Sequence, residues 1–289
     1  MASALSKLRR CISWILPHGI VLLRQRRAIP KPLPIPHELL ASNSLFRGKH
    51  GGHACVILGN GPSAKELDLS ALTGKIVISV SNGYFHRDYQ TIAPRYHCVP
   101  QITYGRMTEA DTVLWFEEMH AHLGDAELFL NETEENLVRR HDLFHGRKVH
   151  YVAFRESFDE LSSPAIPDLT KPIPRIESVP IMALMIAMYL GFDKIAMLGV
   201  DHDHFKSKQY VYAFDLKVQA GKDFSVTQDG DVQTPWHDEF QSLARLWRQY
   251  RAIGRIAAAN NITIVNATPG GELDEFPRIA YRQWLEHEK

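Results

Sequence analysis

The stretch Cys55-Val-Ile-Leu-Gly-Asn-Gly-Pro-Ser63 decides how the rest of the chain is read. An apolar run this short, stopped abruptly by glycines, is the pattern of a buried strand. The turn Gly59-Asn60-Gly61 is followed by Pro62 and Ser63, which can open a helix. Such a turn leaves several backbone N–H groups aimed at one spot, an arrangement that suits a phosphate. An ordinary strand-to-helix turn has the same composition, so the flanking sequence must decide between the two.

Downstream, strand-like runs alternate with helical patterns, which predicts an α/β, Rossmann-like fold: a mainly parallel sheet with helices on both faces. The expected strands are 75–80, 95–99, 127–130, 148–154, 194–200 and 262–265. A helix is expected from Thr108, with Glu109 and Asp111 favourable in its first turn, and a charged one around 132–140. Residues 178–190 are apolar on every side, so this helix should be central, ended by Gly191. Trp236 to Asn260 reads as one long helix with Phe240, Leu243, Trp247, Tyr250, Ile253 and Ala257 towards the core. The polar, irregular stretch at about 203–235 contains Tyr210 and Tyr212 and reads as a lid. Ligands in open α/β sheets bind beyond the strand carboxyl ends, so Gly59–Ser63, Ser81–Gly83 and Asp201–His204 are expected to line one crevice.

Upstream, residues 1–50 are distinct. They carry Lys7, Arg9, Arg10, Arg24, Arg26, Arg27, Lys31, Arg47 and Lys49 against Glu38 alone, a charge of +8 set against −8 in the remainder of a 289-residue chain that is formally neutral. Cys11–Leu23 is apolar with Trp14 and flanking arginines. It is too short to span a bilayer but has the composition of an interfacial anchor on an anionic membrane surface. Prolines at 30, 32, 34 and 36 make an extended linker. The division is therefore 1–50 as arm and linker and 51–289 as the main domain, which the family resemblance given below implies to be a nucleotide-sugar-binding catalytic domain. The composition is that of a soluble globular body. Three cysteines, Cys11, Cys55 and Cys98, without metal or redox spacing fit a reducing cytosol. The expected location is cytoplasmic, peripheral on the inner face of the membrane, with no nucleic-acid partner and with a homo-oligomer compatible.

Several side chains carry candidate chemistry. His237 stands in the first turn of the long helix, where the helix end disfavours the imidazolium and keeps the ring neutral, as a general base requires. Asp201 and Asp203, one residue apart at a strand end, have the spacing with which many glycosyltransferases hold Mg or Mn against a diphosphate. Asp201 can equally hydrogen-bond backbone amides in the crevice. The Tyr212 phenol can donate to a leaving phosphate oxygen, and Arg175, just before the central helix, can meet a carboxylate or phosphate.

The ordered set Gly59-Asn-Gly-Pro-Ser63, Asn82 with Phe85 and Tyr89, Arg175-Ile-x-Ser178, Leu190-Gly-Phe-Asp-Lys-Ile195, Gly199-Val-Asp201, Tyr212-Ala-Phe-Asp215 and a histidine before the long helix resembles the bacterial sialyltransferases of glycosyltransferase family 42. That resemblance implies an inverting, metal-independent transferase using a CMP-activated nine-carbon acidic sugar. It implies Asn60 and Asn82 at the nucleotide, with Gly59, Gly61, Ser63 and Asp201 around it, and Arg175 and Ser178 near the donor. It further implies His237 as base and Tyr212 at the departing phosphate, with no cofactor. Three features depart from the family: no tyrosine lies within His202–Phe205, Val99-Pro100-Gln101 replaces an Asn-Pro, and Ser178-Val179 replaces a Ser-Gly. The glycine turn and the Gly-Val-Asp strand end also resemble archaeal hydroxymethylpterin pyrophosphokinase-type proteins, which implies ATP, Mg and a metal on Asp201 or Asp203. A third reading is a non-catalytic nucleotide-sugar-binding protein. The reading adopted is a sialyltransferase-like enzyme of cell-surface polysaccharide assembly, acting on a glycan or lipid-linked acceptor.

Overall fold

The computed structural model describes residues 37–100, 102, 108–156, 164–207, 211–213 and 234–287. Its centre is a seven-stranded sheet of β1 (Ala54–Leu58), β2 (Ile76–Val80), β3 (Tyr96–Cys98), β4 (Glu127–Asn131), β5 (Val149–Val152), β8 (Lys194–Leu198) and β9 (Thr263–Asn266). The order is β5-β4-β3-β2-β1-β8-β9, and every pairing is parallel. Among the described residues two further strands, β6 (Phe154–Glu156) and β7 (Ile173–Pro174), pair with each other. The single strand expected over 148–154 is thus two, divided at Ala153. The chain steps outward from β1 to β5 and then returns to the other side of β1 at β8. This places the topological switch point between β1 and β8.

Both faces of the sheet are covered, and β1 shows why its alternation disappears into a continuous apolar run. Cys55 and Ile57 belong to one buried cluster with α5 (Val179–Leu190) and α6 (Trp236–Ala259). Val56 and Leu58 belong to another with Leu69, Leu72, Ile92 and Trp284. In α5 every residue from Pro180 to Leu190 is buried, and Gly191 closes the helix in the left-handed conformation at φ 89°, as the sequence predicts. Among the described residues the other α-helices are α1 (His37–Ala41), α2 (Tyr89–Ile92), α3 (Glu109–His122), α4 (Glu135–Arg140) and α7 (Tyr281–His287). Helix α3 begins with a Thr108/Asp111 capping box.

Residues 37–50, which the sequence groups with the arm, are built into this domain. Asn43 is fully buried and donates to the Tyr151 and Leu169 carbonyls, and Phe46 lies in the main cluster. The anchor and the proline linker lie outside the described residues, as does most of the expected lid. Among the described residues no helix is long and apolar enough to cross a membrane.

Candidate functional site

The loops that follow β1 and β8 meet at the switch point, and they interlock through backbone. Gly59 N donates to Leu198 O and Gly61 N to Gly199 O, each at 2.8 Å. Asp201, 6% exposed, accepts from Ser63 N at 3.2 Å and from Ser63 Oγ at 2.8 Å. Pro62–Glu66 forms one 3-10 turn, after which Leu67 is extended. Pro62 and Ser63 do open a helix, though a short 3-10 one, and the amides expected to face a phosphate are mostly spent on the end of β8 and on Asp201. Pro62 has no N–H, so within the turn Asn60 carries the amide for which no bond is made among the described residues. Gly61 is required here because a Cβ would fall inside the Asp201 carboxylate. Burial raises the pKa of that carboxylate, the Ser63 hydrogen bonds oppose the shift, and the charge of Asp203 adds to it.

Asn60 bridges towards β2. Its Nδ2 donates to Val80 O at 3.1 Å, whereas its Oδ1 is buried with no partner among the described residues. A Cβ on Gly83 would approach that oxygen to 3.1 Å, so Gly83 leaves it room. An orphaned acceptor at a switch point invites a donor from a ligand, such as a ribose hydroxyl or a base amine. Ala213 N donates to Asn60 O at 2.9 Å, which brings the backbone beside Tyr212, itself half-buried, to the same turn.

The edge beyond β2 is held from below. Ser81 has φ 46°, and its carbonyl accepts from His97 Nε2 at 2.8 Å, while His97 Nδ1 accepts from Ser79 Oγ at 2.7 Å. His97 is fully buried, and desolvation pushes its pKa down to about 3, so the ring is neutral. Asn82 follows, 7% exposed, with its Oδ1 accepting from Trp115 Nε1 at 2.8 Å. Its carbonyl is therefore committed to α3, which leaves the amide nitrogen as its donor for a ligand.

After β8, Asp201, His202 and His204 each take a different side-chain partner. His202, at φ 50°, pairs with Tyr250 OH at 2.7 Å, and desolvation lowers its pKa to about 3. His204 Nε2 meets Glu239 Oε1 at 2.5 Å. Among the described residues no group of three or more His, Cys, Asp or Glu stands ready to hold a metal. The His202–Tyr250 and His204–Glu239 contacts tie the end of β8 to α6. They escaped the sequence reading because the partners lie 48 and 35 residues away.

His237 is exposed in the first turn of α6, and the Gln241 side-chain amide donates to its Nε2 at 3.0 Å. Arg175 is exposed, and its carbonyl accepts from Gln249 Nε2 at 3.0 Å. Ser178 is the N-cap of α5 without a side-chain cap bond. Gly59, Asn60, Gly61, Ser63 and Asp201 thus form one cluster, with Asn82 next along the edge. Ser178 and His237 sit at helix starts, and Arg175 lies between β7 and the N-cap of α5. Helices α5 and α6 run antiparallel to the strands, so these starts lie on the carboxyl side of the sheet.

The fold and this edge define an α/β, Rossmann-like protein whose candidate site residues gather at the switch point of a parallel sheet. No protein-family model matches the chain, and no curated protein matches it. Solved structures similar to it include the sialyltransferase CST-II in complex with trisaccharide acceptor and CMP, at 17% identity and a TM-score of 0.45, covering 78% of this chain and 86% of that one. Another is the sialyltransferase CstII from Campylobacter jejuni in complex with a substrate analogue, cytidine-5'-monophosphate, at 14% identity and a TM-score of 0.40, covering 78% of this chain and 84% of that one.

Proposed function

We propose that this chain is an inverting glycosyltransferase that moves a sialic-acid-like nonulosonate from a CMP-activated donor to a cell-surface glycan, lipid-linked or free. The observation that carries the reading is the Asn60 turn at the switch point, locked by Asp201 and presenting an unpartnered buried acceptor, within motifs that follow the family 42 order. In this reading Asn60 and Asn82 contact the nucleotide, and Arg175 and Ser178 lie near the donor sugar. The acceptor oxygen attacks the anomeric carbon as the bond to the phosphate oxygen breaks, and CMP leaves with the electron pair. The acceptor proton passes to His237, which must first release Gln241, and the Tyr212 phenol donates to the departing phosphate.

Because Ser63 occupies both carboxylate oxygens of Asp201, the reading gives Asp201 a turn-locking role and assigns no metal. The arm would keep the enzyme beside a membrane-borne acceptor on the cytoplasmic face. The test is a thermal-shift comparison of CMP, CDP, UDP, GDP and ATP, each with and without Mg. Stabilisation by CMP without metal is expected; stabilisation by ATP only with Mg would replace the transferase with the pyrophosphokinase. His237→Ala should lower transfer by roughly 10²-fold with CMP binding retained, and equal loss of both would make His237 structural.

A further inference from the structure

At the amino edge of the sheet, away from the switch point, one buried carboxylate gathers more cations than it can bond. Glu127 opens β4, and the backbone sets its neighbours: Glu127 N donates to Arg95 O, just before β3, and Leu128 N donates to Lys148 O, just before β5. Three adjacent strands therefore start with Arg95, Glu127 and Lys148 side by side. Lys49 joins them from the segment that leads into β1, with its Nζ over the rings of Phe46 at 4.8 Å and Tyr96 at 5.8 Å. The Glu127 side chain is 5% exposed, and its Oε1 has Arg95 at 3.1 Å, Lys148 at 3.6 Å and Lys49 at 3.9 Å, while His150 Nε2 meets its Oε2 at 3.2 Å. Of the three cations, Arg95 alone is near enough to hydrogen-bond that oxygen. Burial would raise the Glu127 pKa, but Lys49, the His150 contact and Lys148 bring it below the usual value, so the carboxylate is charged. Burial lowers the pKa of His150, and its ring adds no charge near neutrality. Three lasting cations thus face one anion, an excess of two positive charges. They reach into solvent, with side chains 34% (Lys49), 52% (Arg95) and 72% (Lys148) exposed.

We propose that Lys49, Arg95 and Lys148 form a phosphodiester site that docks this edge of the domain on the headgroups of an anionic phospholipid surface. Charges on a solvated face spread out or pair one to one, whereas here a buried anion draws three cations together. Arg95 offers a phosphate the rest of its guanidinium fork, and the two ammoniums stand beside it as point charges. The patch is an open edge, which suits a surface more than a small soluble anion. The chain also leads there: residues 1–36, with seven cations and no acid, join the domain at α1, which packs on β5, the strand that Lys148 precedes. Docking at this edge leaves Asn60 and Asp201 free, since they lie at the other end of strands about 17 Å long. The inference does not rest on the transfer reading, because lipid binding needs neither donor nor acceptor.

The test is co-sedimentation of the full-length chain with phosphatidylcholine vesicles, with and without phosphatidylglycerol. Lys49→Gln/Lys148→Gln keeps the Arg95–Glu127 bond and the whole arm, and it should weaken binding to the phosphatidylglycerol vesicles about thirtyfold. Lys148→Gln alone, at the most exposed of the three, should weaken it about fivefold and tests the patch should the pair fail to fold, as read by circular dichroism. Lys49→Arg/Lys148→Arg should bind as the wild type does. Arg87→Gln/Arg245→Gln removes the same charge from the carboxyl side and should change binding less than about threefold. No binding by the wild type, unchanged binding in the Lys→Gln variants, or equal weakening by both Gln pairs would overturn the proposal. So would a thermal shift with inorganic phosphate that Lys49→Gln/Lys148→Gln abolishes while vesicle binding persists, which would make the patch a site for a soluble phosphate.

Discussion

Between β1 and β8 the candidate site is backbone locked onto backbone, whereas at the start of α6 it is a row of exposed side chains on a single helical turn. In the first region Gly59, Gly61 and Ser63 spend their amides on β8 and Asp201, so in the proposed reading ligand contact falls to Asn60. In the second, Trp236, His237 and Phe240 are all exposed. The difference teaches that one region sets position and the other supplies reach. Substitution should hit the first as lost fold and lost nucleotide binding, and the second as lost transfer with the fold intact.

The sharpest break in that contrast would come from Gly61→Ala. Its Cβ must displace the Asp201 carboxylate, and we expect a loss of about 3 kcal/mol in chemical denaturation together with loss of the CMP thermal shift. Acid is next. A histidine that is neutral in the fold but free to protonate near pH 6.5 when unfolded makes the unfolded state bind more protons, so stability falls as pH drops from about 6.5 towards 3. For His97 this amounts to about 2 kcal/mol at pH 5, and urea unfolding of His97→Gln should show a flatter pH dependence. Ser63→Ala removes one hydrogen bond from Asp201 and should cost about 1–2 kcal/mol, read as a shift in the denaturation midpoint. The smallest effect belongs to the helix turn: Gln241→Ala should change stability by less than about 0.5 kcal/mol. It should also leave His237 more available, so that transfer is unchanged or faster. A large stability loss there would erase the distinction between the regions.

The strands, the apolar α5 and the meeting of Gly59–Ser63 with Asp201 were legible because each is a local pattern whose period or punctuation names its environment. What was not legible depended on relative lengths and distant partners. Phe240 falls on the apolar stripe of α6 and was expected in the core, but the stripe outruns the sheet and leaves it 55% exposed. Pro62 and Ser63 open a helix as read, but the sequence did not show that it is a short 3-10 one and that the end of β8 takes the amides of Gly59 and Gly61. What the sequence also did not show is that Ser63 bonds Asp201 and that a left-handed residue, His202, turns the chain between Asp201 and Asp203. The neutral His97 beneath Ser81 left no mark in the sequence, since Ser79 and His97 come together only through the pairing of β2 with β3.

Gly59 and Gly199 press against each other so closely that a Cβ on Gly199 would lie 2.9 Å from Gly59 O. Where two strands are separated by nothing but main chain, side-chain exchange can widen the gap but has no means of narrowing it. The spacing of the crevice floor is thus a fixed gauge, and variation in what this chain binds must come from its walls.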